Sequence, residues 1–175
     1  DKPVFFPDIT YSFYDVWADE FRIPFDTVPL KEDFSIDVDG FCKGTAGGIV
    51  IPNPNAPTGL DAEVDALEQI IRTNPQCVVI IDEAYVDFGA KSVLPLIDKY
   101  DNLLVTQTFS KSRALAGSRI GFAFGSKKLI KYLNDVKFSF NSYTMDYITQ
   151  QVGMASLSDP DYFRMRCLEI INERE

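Results

Sequence analysis

The feature that most constrains the fold is a run of five apolar residues, Cys77–Ile81, which ends in Asp82 and Glu83. A run this continuous predicts a strand covered on both faces, as in a parallel sheet. Gly48–Pro52 and Leu103–Thr108 are further short strands that begin apolar and lead into polar residues. The sequence therefore predicts parallel strands whose carboxyl ends carry the functional side chains.

The segments between and after these strands have the apolar spacing of amphipathic helices. From Asp61 onward, Val64, Leu67 and Ile70 recur on one helix face. The other predicted elements are the buried strand Ile120–Phe124 and helices at Ser92–Tyr100, Lys127–Phe138, Met145–Leu157 and Tyr162–Arg174. Alternating strands and helices predict an α/β fold of three layers, in which helices cover both faces of a mainly parallel sheet.

The N-terminal part predicts two more strands and a helix. The two predicted strands are short and lie at Val4–Phe6 and Asp26–Leu30. Between them, Phe13, Trp17 and Phe21 recur at four-residue steps and predict the apolar face of a helix.

Tyr11 lies where the first strand meets this helix. Side chains at such a junction often face a ligand in open α/β sheets. Tyr11 is therefore a candidate contact, and the alternative is that Tyr11 and Tyr14 only pack against their neighbours.

Composition excludes several classes of function. The formal charge of −9 argues against nucleic-acid and anionic-membrane partners. The three cysteines have no C-x-x-C spacing, which fits a reducing cytoplasm and gives neither a disulfide framework nor a zinc site. Because histidine is absent, a Ser-His-Asp or Cys-His mechanism is excluded within these 175 residues, and proton transfer must use lysine, tyrosine or a carboxylate.

The ends of the chain suggest a segment of a longer polypeptide. The chain begins at Asp1, just before a predicted strand, and stops at Glu175 within a predicted helix. We expect residues 1–175 to form a single domain. No apolar run approaches the length of a membrane span, and no signal peptide opens the chain.

The loop after Leu103–Thr108 is rich in hydroxyl and basic groups. Thr108, Ser110 and Lys111 lie within four positions, and Arg119 follows eight residues after the lysine. Hydroxyls, backbone N–H groups and a guanidinium together suit a phosphate, and a lysine beside them can bond covalently to a carbonyl. The alternative is a solvated basic turn.

The proline-rich loop Ile51–Leu60 follows another predicted strand. Its prolines force extended or turn geometry, and an X–Pro bond within it can be cis. A rigid loop of this kind can present the amide of Asn53 or Asn55 to a ligand.

Two kinds of chemistry fit an acid at the end of a buried strand. In a nucleotide hydrolase, Asp82 and Glu83 would hold magnesium, but that activity needs a glycine-rich lysine loop, which residues 1–175 lack and which would have to lie before Asp1. A pyridoxal phosphate site needs a lysine, an acid for the ring nitrogen and a phosphate anchor. The chain supplies all three at the ends of predicted strands.

Several motifs of the chain resemble those of a known family. NPNAPTG (Asn53–Gly59), DEAYVDFG (Asp82–Gly89) and TFSKSRALAGSRIGF (Thr108–Phe122) resemble, in order and spacing, motifs of the fold-type I aminotransferases. PDITYSFY (Pro7–Tyr14) is similar to their opening strand-helix segment. Within that family the resemblance is strongest to the histidinol-phosphate aminotransferases, and it covers essentially the whole chain.

The resemblance implies a role for each group of the site. Lys111 would bond covalently to pyridoxal 5'-phosphate and later move the proton. Asp82 would pair with the pyridinium nitrogen, and Tyr85 would donate a hydrogen bond to the 3-oxygen of the ring.

The same resemblance implies that Thr108, Ser110 and Arg119 hold the phosphate and that Tyr11 stacks on the ring. One position departs from the family pattern, because the asparagine that usually precedes Pro-Thr-Gly is replaced here by Ala56. Asn55 is the neighbouring amide and is expected to substitute for it.

The resemblance also implies the reaction and what lies outside the chain. We expect a transaminase that moves an amino group from glutamate to imidazole-acetol phosphate, in a cytoplasmic homodimer. The chain would be its large cofactor-binding domain, and the small domain that closes over the substrate would lie outside it. The alternatives are a transaminase of aromatic or other amino acids and a non-catalytic core.

Overall fold

A computed structural model describes residues 2–174 and contains a six-stranded sheet. The strands are β1 (Val4–Pro7), β2 (Phe25–Val28), β3 (Gly48–Pro52), β4 (Val78–Asp82), β5 (Leu103–Thr108) and β6 (Gly121–Gly125). They lie in the order β2-β1-β3-β4-β5-β6, and β1 to β5 pair in parallel while β6 pairs antiparallel to β5. The predicted α/β fold with a mainly parallel sheet is confirmed.

Helices alternate with strands from β1 to β4, and three helices follow β6. The helices are α1 (Tyr14–Glu20), α2 (Val38–Phe41), α3 (Val64–Thr73), α4 (Lys127–Phe140), α5 (Tyr147–Leu157) and α6 (Pro160–Arg174). The Ser126 hydroxyl caps α4 by accepting a hydrogen bond from the Leu129 N–H, and the Asp146 carboxylate caps α5 in the same way through Thr149. These bonds from Thr149 lower the pKa of Asp146 below its ordinary value. None of the helices within residues 2–174 is long and apolar enough to cross a bilayer.

One face of the sheet forms the main core. Ile49 and Ile51 of β3, like Val79 and Ile81 of β4, have no exposed surface. They alternate along each strand because successive strand residues point to opposite faces, and they cluster with Leu67, Ile70 and Ile71 of α3. On the opposite face Val50, Val78 and Ile80 are only partly buried. The sequence predicts strands that are covered on both faces of the sheet. One face is fully buried as predicted, and the other is only partly covered.

The prediction for the buried face of α1 is wrong. Phe13, Trp17 and Phe21 are 47%, 48% and 67% exposed, whereas Tyr14 and Ala18 are buried. The helix is turned so that the Tyr14 hydroxyl reaches Asp82 of β4. A tertiary hydrogen bond thus overrides the apolar spacing that suggested the other face.

The predicted helix Ser92–Tyr100 is also wrong, since only a 3-10 turn, Leu94–Leu96, forms there. The ends of the segment are held by distant groups. Ser92 donates to Glu83, and the Tyr100 hydroxyl donates to Glu68 of α3 at 2.6 Å. Lys99 pairs with the same carboxylate, and these bonds lower the pKa of Glu68.

The predicted strand Ile120–Phe124 is present as β6, but it is not a buried strand. It lies at the edge of the sheet, where Phe124 is 39% exposed. An edge strand has one neighbour instead of two, which explains its exposure.

The register brings the functional ends of the strands together. Asp82 lies opposite Pro52 of β3 on one side and Thr106 of β5 on the other. Parallel strands end at the same edge, where open α/β sheets bind their ligands. The candidate site is therefore to be found at this edge.

The core on α3 supports a direct test of stability. Leu67 has no exposed surface, so Leu67→Ala removes buried contacts and leaves a cavity. We expect it to lower the free energy of unfolding by about 2–5 kcal/mol. Leu60→Ala is the matched control, because Leu60 is 44% exposed and the change should stay within about 0.5 kcal/mol. Equal losses in denaturant unfolding would contradict this view of the core.

Candidate active site

A cavity of about 380 Å³ lies at the carboxyl edge of the sheet. Its volume falls in the range of about 300–1,000 Å³ that is usual for small-molecule sites. The predicted site residues that line it are Tyr11, Asp82, Tyr85, Thr108, Ser110, Lys111 and Arg119. The structure thus brings together seven side chains that come from three separate motifs of the sequence.

Asp82 ends β4 and faces this cavity. Its Oδ2 accepts a hydrogen bond of 2.8 Å from the Tyr14 hydroxyl, and its Oδ1 accepts one of 3.2 Å from the Ala84 N–H. Both donors are uncharged. Within residues 2–174, Asp82 forms no ion pair with a lysine or arginine. The carboxylate is therefore oriented by the protein but keeps its charge available to a cationic ligand.

Tyr14 is a residue that sequence reasoning missed as part of the site. It is 7% exposed and lines the cavity as well as binding Asp82. Burial, followed by the nearby Asp82 charge, raises the pKa of Tyr14 above its ordinary value of 10.0, so the phenol keeps its proton. No local pattern marks this role, because the partner lies 68 positions away.

Lys111 lies on the loop between β5 and β6, and buried neighbours hold that loop in place. The Phe109 ring is 4% exposed, and the Phe109 N–H donates to the Ile120 carbonyl at 3.1 Å. Lys111 Nζ lies 5.1 Å from the centre of the Tyr85 ring, within the usual cation–π distance of about 6 Å. The amine and the phenol thus occupy neighbouring positions in the cavity wall.

A second contact fixes this loop from the opposite side. The hydroxyl of Ser112, next to Lys111, donates a hydrogen bond of 2.5 Å to the carboxylate of Asp87. Asp87 belongs to the 3-10 turn Val86–Phe88 that follows Tyr85. The two motifs that carry the lysine and the tyrosine are therefore joined directly.

The candidate phosphate end of the cavity consists of hydroxyls and one guanidinium. Thr108 Oγ1 lies 2.9 Å from Ser110 Oγ and accepts the Ser110 N–H at 3.0 Å. Arg119 donates to the Ala116 carbonyl at 2.8 Å and has a left-handed φ of 54°. For a residue with a side chain this conformation costs about 1–2 kcal/mol, and such strain tends to be retained at functional sites.

Tyr11 forms an aromatic wall at the mouth of the cavity. It is 43% exposed, stacks on Phe13 at 5.7 Å between ring centres and meets Tyr14 edge-on at 5.6 Å. Tyr11 thus contributes an aromatic ring to the cavity wall.

Neither candidate amide of the proline-rich loop lines this cavity. Asn53 is fully buried, and its Oδ1 accepts a hydrogen bond from the Ala62 N–H at 2.7 Å. The second candidate, Asn55, is also engaged elsewhere. Its Nδ2 donates to the Ile9 carbonyl at 2.9 Å, and its Oδ1 lies 3.1 Å from the Thr10 hydroxyl. The amide is 2% exposed, so its bonds serve to join the proline-rich loop to the segment before α1. Ala56, by contrast, lines the cavity. The bonds Asn53–Pro54 and Ala56–Pro57 are cis.

Glu83 points away from Asp82 into the interior. It is 1% exposed and accepts hydrogen bonds from Ser92, the Val93 N–H and Gln107. The two acids therefore do not converge on one metal, as the nucleotide-hydrolase alternative requires. Across residues 2–174, no cluster of three or more acidic, cysteine or histidine side chains has the arrangement of a metal site.

A larger hollow of about 810 Å³ lies at the opposite edge of the sheet, before the first residues of β3, β4 and β5. It contains acidic groups of Asp98 and Asp101 beside Lys127 and Lys128, and none of the predicted site residues. The larger volume therefore does not identify the candidate site, because the predicted site residues line the smaller cavity at the carboxyl edge.

Comparison with known proteins defines the class to which this fold and site belong. The family model for aminotransferase class I and II matches residues 1–175, so the chain belongs to that family. Histidinol-phosphate aminotransferases are among its similar relatives. That of Lactococcus lactis subsp. cremoris is 50% identical over 174 residues, which cover 99% of this chain and 49% of the relative. That of Burkholderia lata is 52% identical over 174 residues, again 99% of this chain and 49% of the relative.

Solved structures show the same fold. The histidinol-phosphate aminotransferase from Clostridium acetobutylicum gives a TM-score of 0.89 at 22% identity, over 99% of this chain and 53% of that one. The histidinol-phosphate aminotransferase from Sinorhizobium meliloti, solved in complex with pyridoxal-5'-phosphate, gives a TM-score of 0.88 at 24% identity. The match covers 99% of this chain and 48% of that one. The chain spans about half the length of the curated relatives it matches.

The raised pKa of Tyr14 makes its contribution to stability depend on pH. A tyrosine in an unfolded chain ionises near pH 10, whereas folded Tyr14 keeps its proton. The contribution is complete below about pH 10 and is lost as the pH rises above that value. We expect the stability advantage of the wild type over Tyr14→Phe to shrink by about 1.4 kcal/mol per pH unit above about pH 10. Denaturant unfolding of both proteins across this pH range measures the difference in stability. A difference that does not change with pH would contradict the prediction.

Proposed function

We propose that the protein containing this chain is a pyridoxal-phosphate-dependent aminotransferase. The observation that carries the proposal is one cavity with an oriented Asp82 carboxylate, without a cationic partner among residues 2–174, and the Lys111 amine in its wall. Family membership and the resemblance of the motifs support the same activity.

The residues present fit the cofactor at each of its polar groups. The Asp82 carboxylate would hold the protonated ring nitrogen, because a partly buried anion held only by neutral donors is stabilised by a cationic partner. When bound, the cofactor supplies an electron sink for the substrate carbanion. Tyr85 would donate its phenol to the 3-oxygen of the ring, and Tyr11 would cover a ring face.

At the other end of the cavity, Thr108, Ser110 and Arg119 would hold the phosphate. Hydroxyl donors and a guanidinium fork match its oxygens. Lys111 would hold the cofactor covalently through Nζ and later carry a proton at the same atom. A cofactor contact from Asn55 stays a prediction, and its amide would have to exchange its bonds to Ile9 and Thr10 to make it.

We propose glutamate as the amino donor and imidazole-acetol phosphate as the acceptor. The relatives at about half identity that bear the name histidinol-phosphate aminotransferase support this choice. A transaminase of aromatic or other amino acids is the second candidate.

We further propose that the chain is the large cofactor-binding domain of a cytoplasmic homodimer, closed by a smaller domain outside residues 1–175. Apolar side chains on one face of α4 support an association surface, since Leu133, Val136 and Phe140, spaced by three and four residues, are 43%, 66% and 88% exposed. Exposed apolar patches of this kind mark protein contacts.

Covalent trapping tests the cofactor proposal. Incubation with pyridoxal phosphate, reduction with borohydride and peptide mapping should place the label on Lys111. Lys111→Arg should lose the label while keeping the fold, because the arginine retains the charge but cannot form the bond. Lys91, which is exposed and paired with Glu63, should stay unlabelled. Label at many lysines would contradict a built site, and label only in the protein at full natural length would make this segment a non-catalytic core.

Substrate choice is tested with the protein at full natural length. With glutamate as donor, we expect kcat/KM for imidazole-acetol phosphate to exceed that for phenylpyruvate by about a hundredfold or more, because polar sites reject analogues that leave their groups unpaired. Coupled assays of both acceptors measure the ratio, with Lys111→Arg as the inactive control. A preference for phenylpyruvate would favour the aromatic alternative.

A further inference from the structure

We propose that Tyr14 is a positioning residue for the reaction: its hydroxyl holds the Asp82 carboxylate toward the ring nitrogen of the cofactor without neutralising it. The inference rests on the proposed function, and it gives a role to Tyr14, the last residue of the motif Pro7–Tyr14, to which the sequence analysis assigned only packing.

The geometry leaves Asp82 little freedom. Tyr14 Oη donates to Oδ2 at 2.8 Å, and the Ala84 N–H donates to Oδ1 at 3.2 Å. With a donor on each oxygen, rotation of the carboxylate would break at least one bond. Ala84 follows Asp82 by two residues, in the turn after β4, so Tyr14 is the contact that ties the acid to another element, α1.

The chemistry of the donor matters as much as its position. Burial and the Asp82 charge raise the pKa of Tyr14, so the phenol stays a neutral donor over the physiological range. A lysine or arginine here would itself neutralise the carboxylate. A phenol orients the acid and leaves its negative charge to act on a cation in the cavity.

The ring of Tyr14 is held independently of its hydroxyl. It lies 5.9 Å from Phe6, 5.6 Å from Tyr11 and 6.2 Å from Trp17, measured between ring centres. Tyr14→Phe therefore keeps this packing and removes only the hydrogen bond. The variant separates positioning of Asp82 from support of the fold.

The test compares two ligands in the protein at full natural length. Pyridoxal phosphate has the ring nitrogen, and 1-deazapyridoxal phosphate has carbon in its place. We expect Tyr14→Phe to weaken binding of pyridoxal phosphate about tenfold, as for loss of a hydrogen bond to a charged group, and to leave binding of the deaza analogue unchanged. Tyr132→Phe, on α4 at the opposite edge of the sheet, is the matched control and should change neither affinity.

A double-mutant cycle separates positioning of Asp82 from a general effect of Tyr14→Phe on the fold, which would weaken binding in either background. In an Asp82→Asn background, Tyr14→Phe should have no further effect on pyridoxal phosphate affinity, because the charge it orients is gone. Equal weakening of both ligands, or no weakening of either, would overturn the positioning role. Wild-type protein that shows no label at Lys111 would instead defeat the proposed function, and the positioning role with it.

Discussion

The organisation of the site depends on one partly buried carboxylate that is oriented but not neutralised. Placing a charge away from water is costly unless hydrogen bonds or an opposite charge compensate. Asp82 receives two neutral donors, Tyr14 Oη and the Ala84 N–H. Neither donor carries a charge, and a cationic ligand in the cavity would supply the opposite charge. The packing around Tyr14 supports this state of Asp82, in which the carboxylate is oriented but not neutralised.

The orientation of α1 is a direct consequence. The amphipathic pattern favours burial of Phe13 and Trp17, yet the helix buries Tyr14 and Ala18. Turning the other face to the sheet would bury more aromatic surface but would remove the phenol from Asp82. Of the exposed rings, Phe13 stacks on Tyr11 and Trp17 meets it edge-on, so both support a residue that lines the cavity. A helix that violates its own hydrophobic pattern is a sign of a functional constraint.

Sequence patterns predicted the features that depend on residues close to one another in the chain. The apolar runs located β3 and β5 to the residue, and the hydroxyl, amine and guanidinium groups after β5 were expected in one loop. Three of the failures involve hydrogen-bond partners outside the segment concerned. Ser92 is held by Glu83, Tyr14 by Asp82, and Asn55 by Ile9 and Thr10. Periodicity carries no information about such bonds, so the missing helix at Ser92–Tyr100 and the engaged amide of Asn55 had no signal in the sequence.

The two chemical ends of the cavity rest on different kinds of scaffold, and this difference matches their tasks. Asp82 is part of a strand paired on both sides, so its carboxylate has a fixed position. Lys111 is on a loop, where Phe109 packing and the Ser112–Asp87 bond fix the neighbouring residues but leave the long amine side chain itself movable. Under the proposed function, the acid would only have to hold a ring nitrogen and would benefit from rigidity. The amine would have to bond, release and carry a proton, which needs the reach that a loop anchored at its flanks provides.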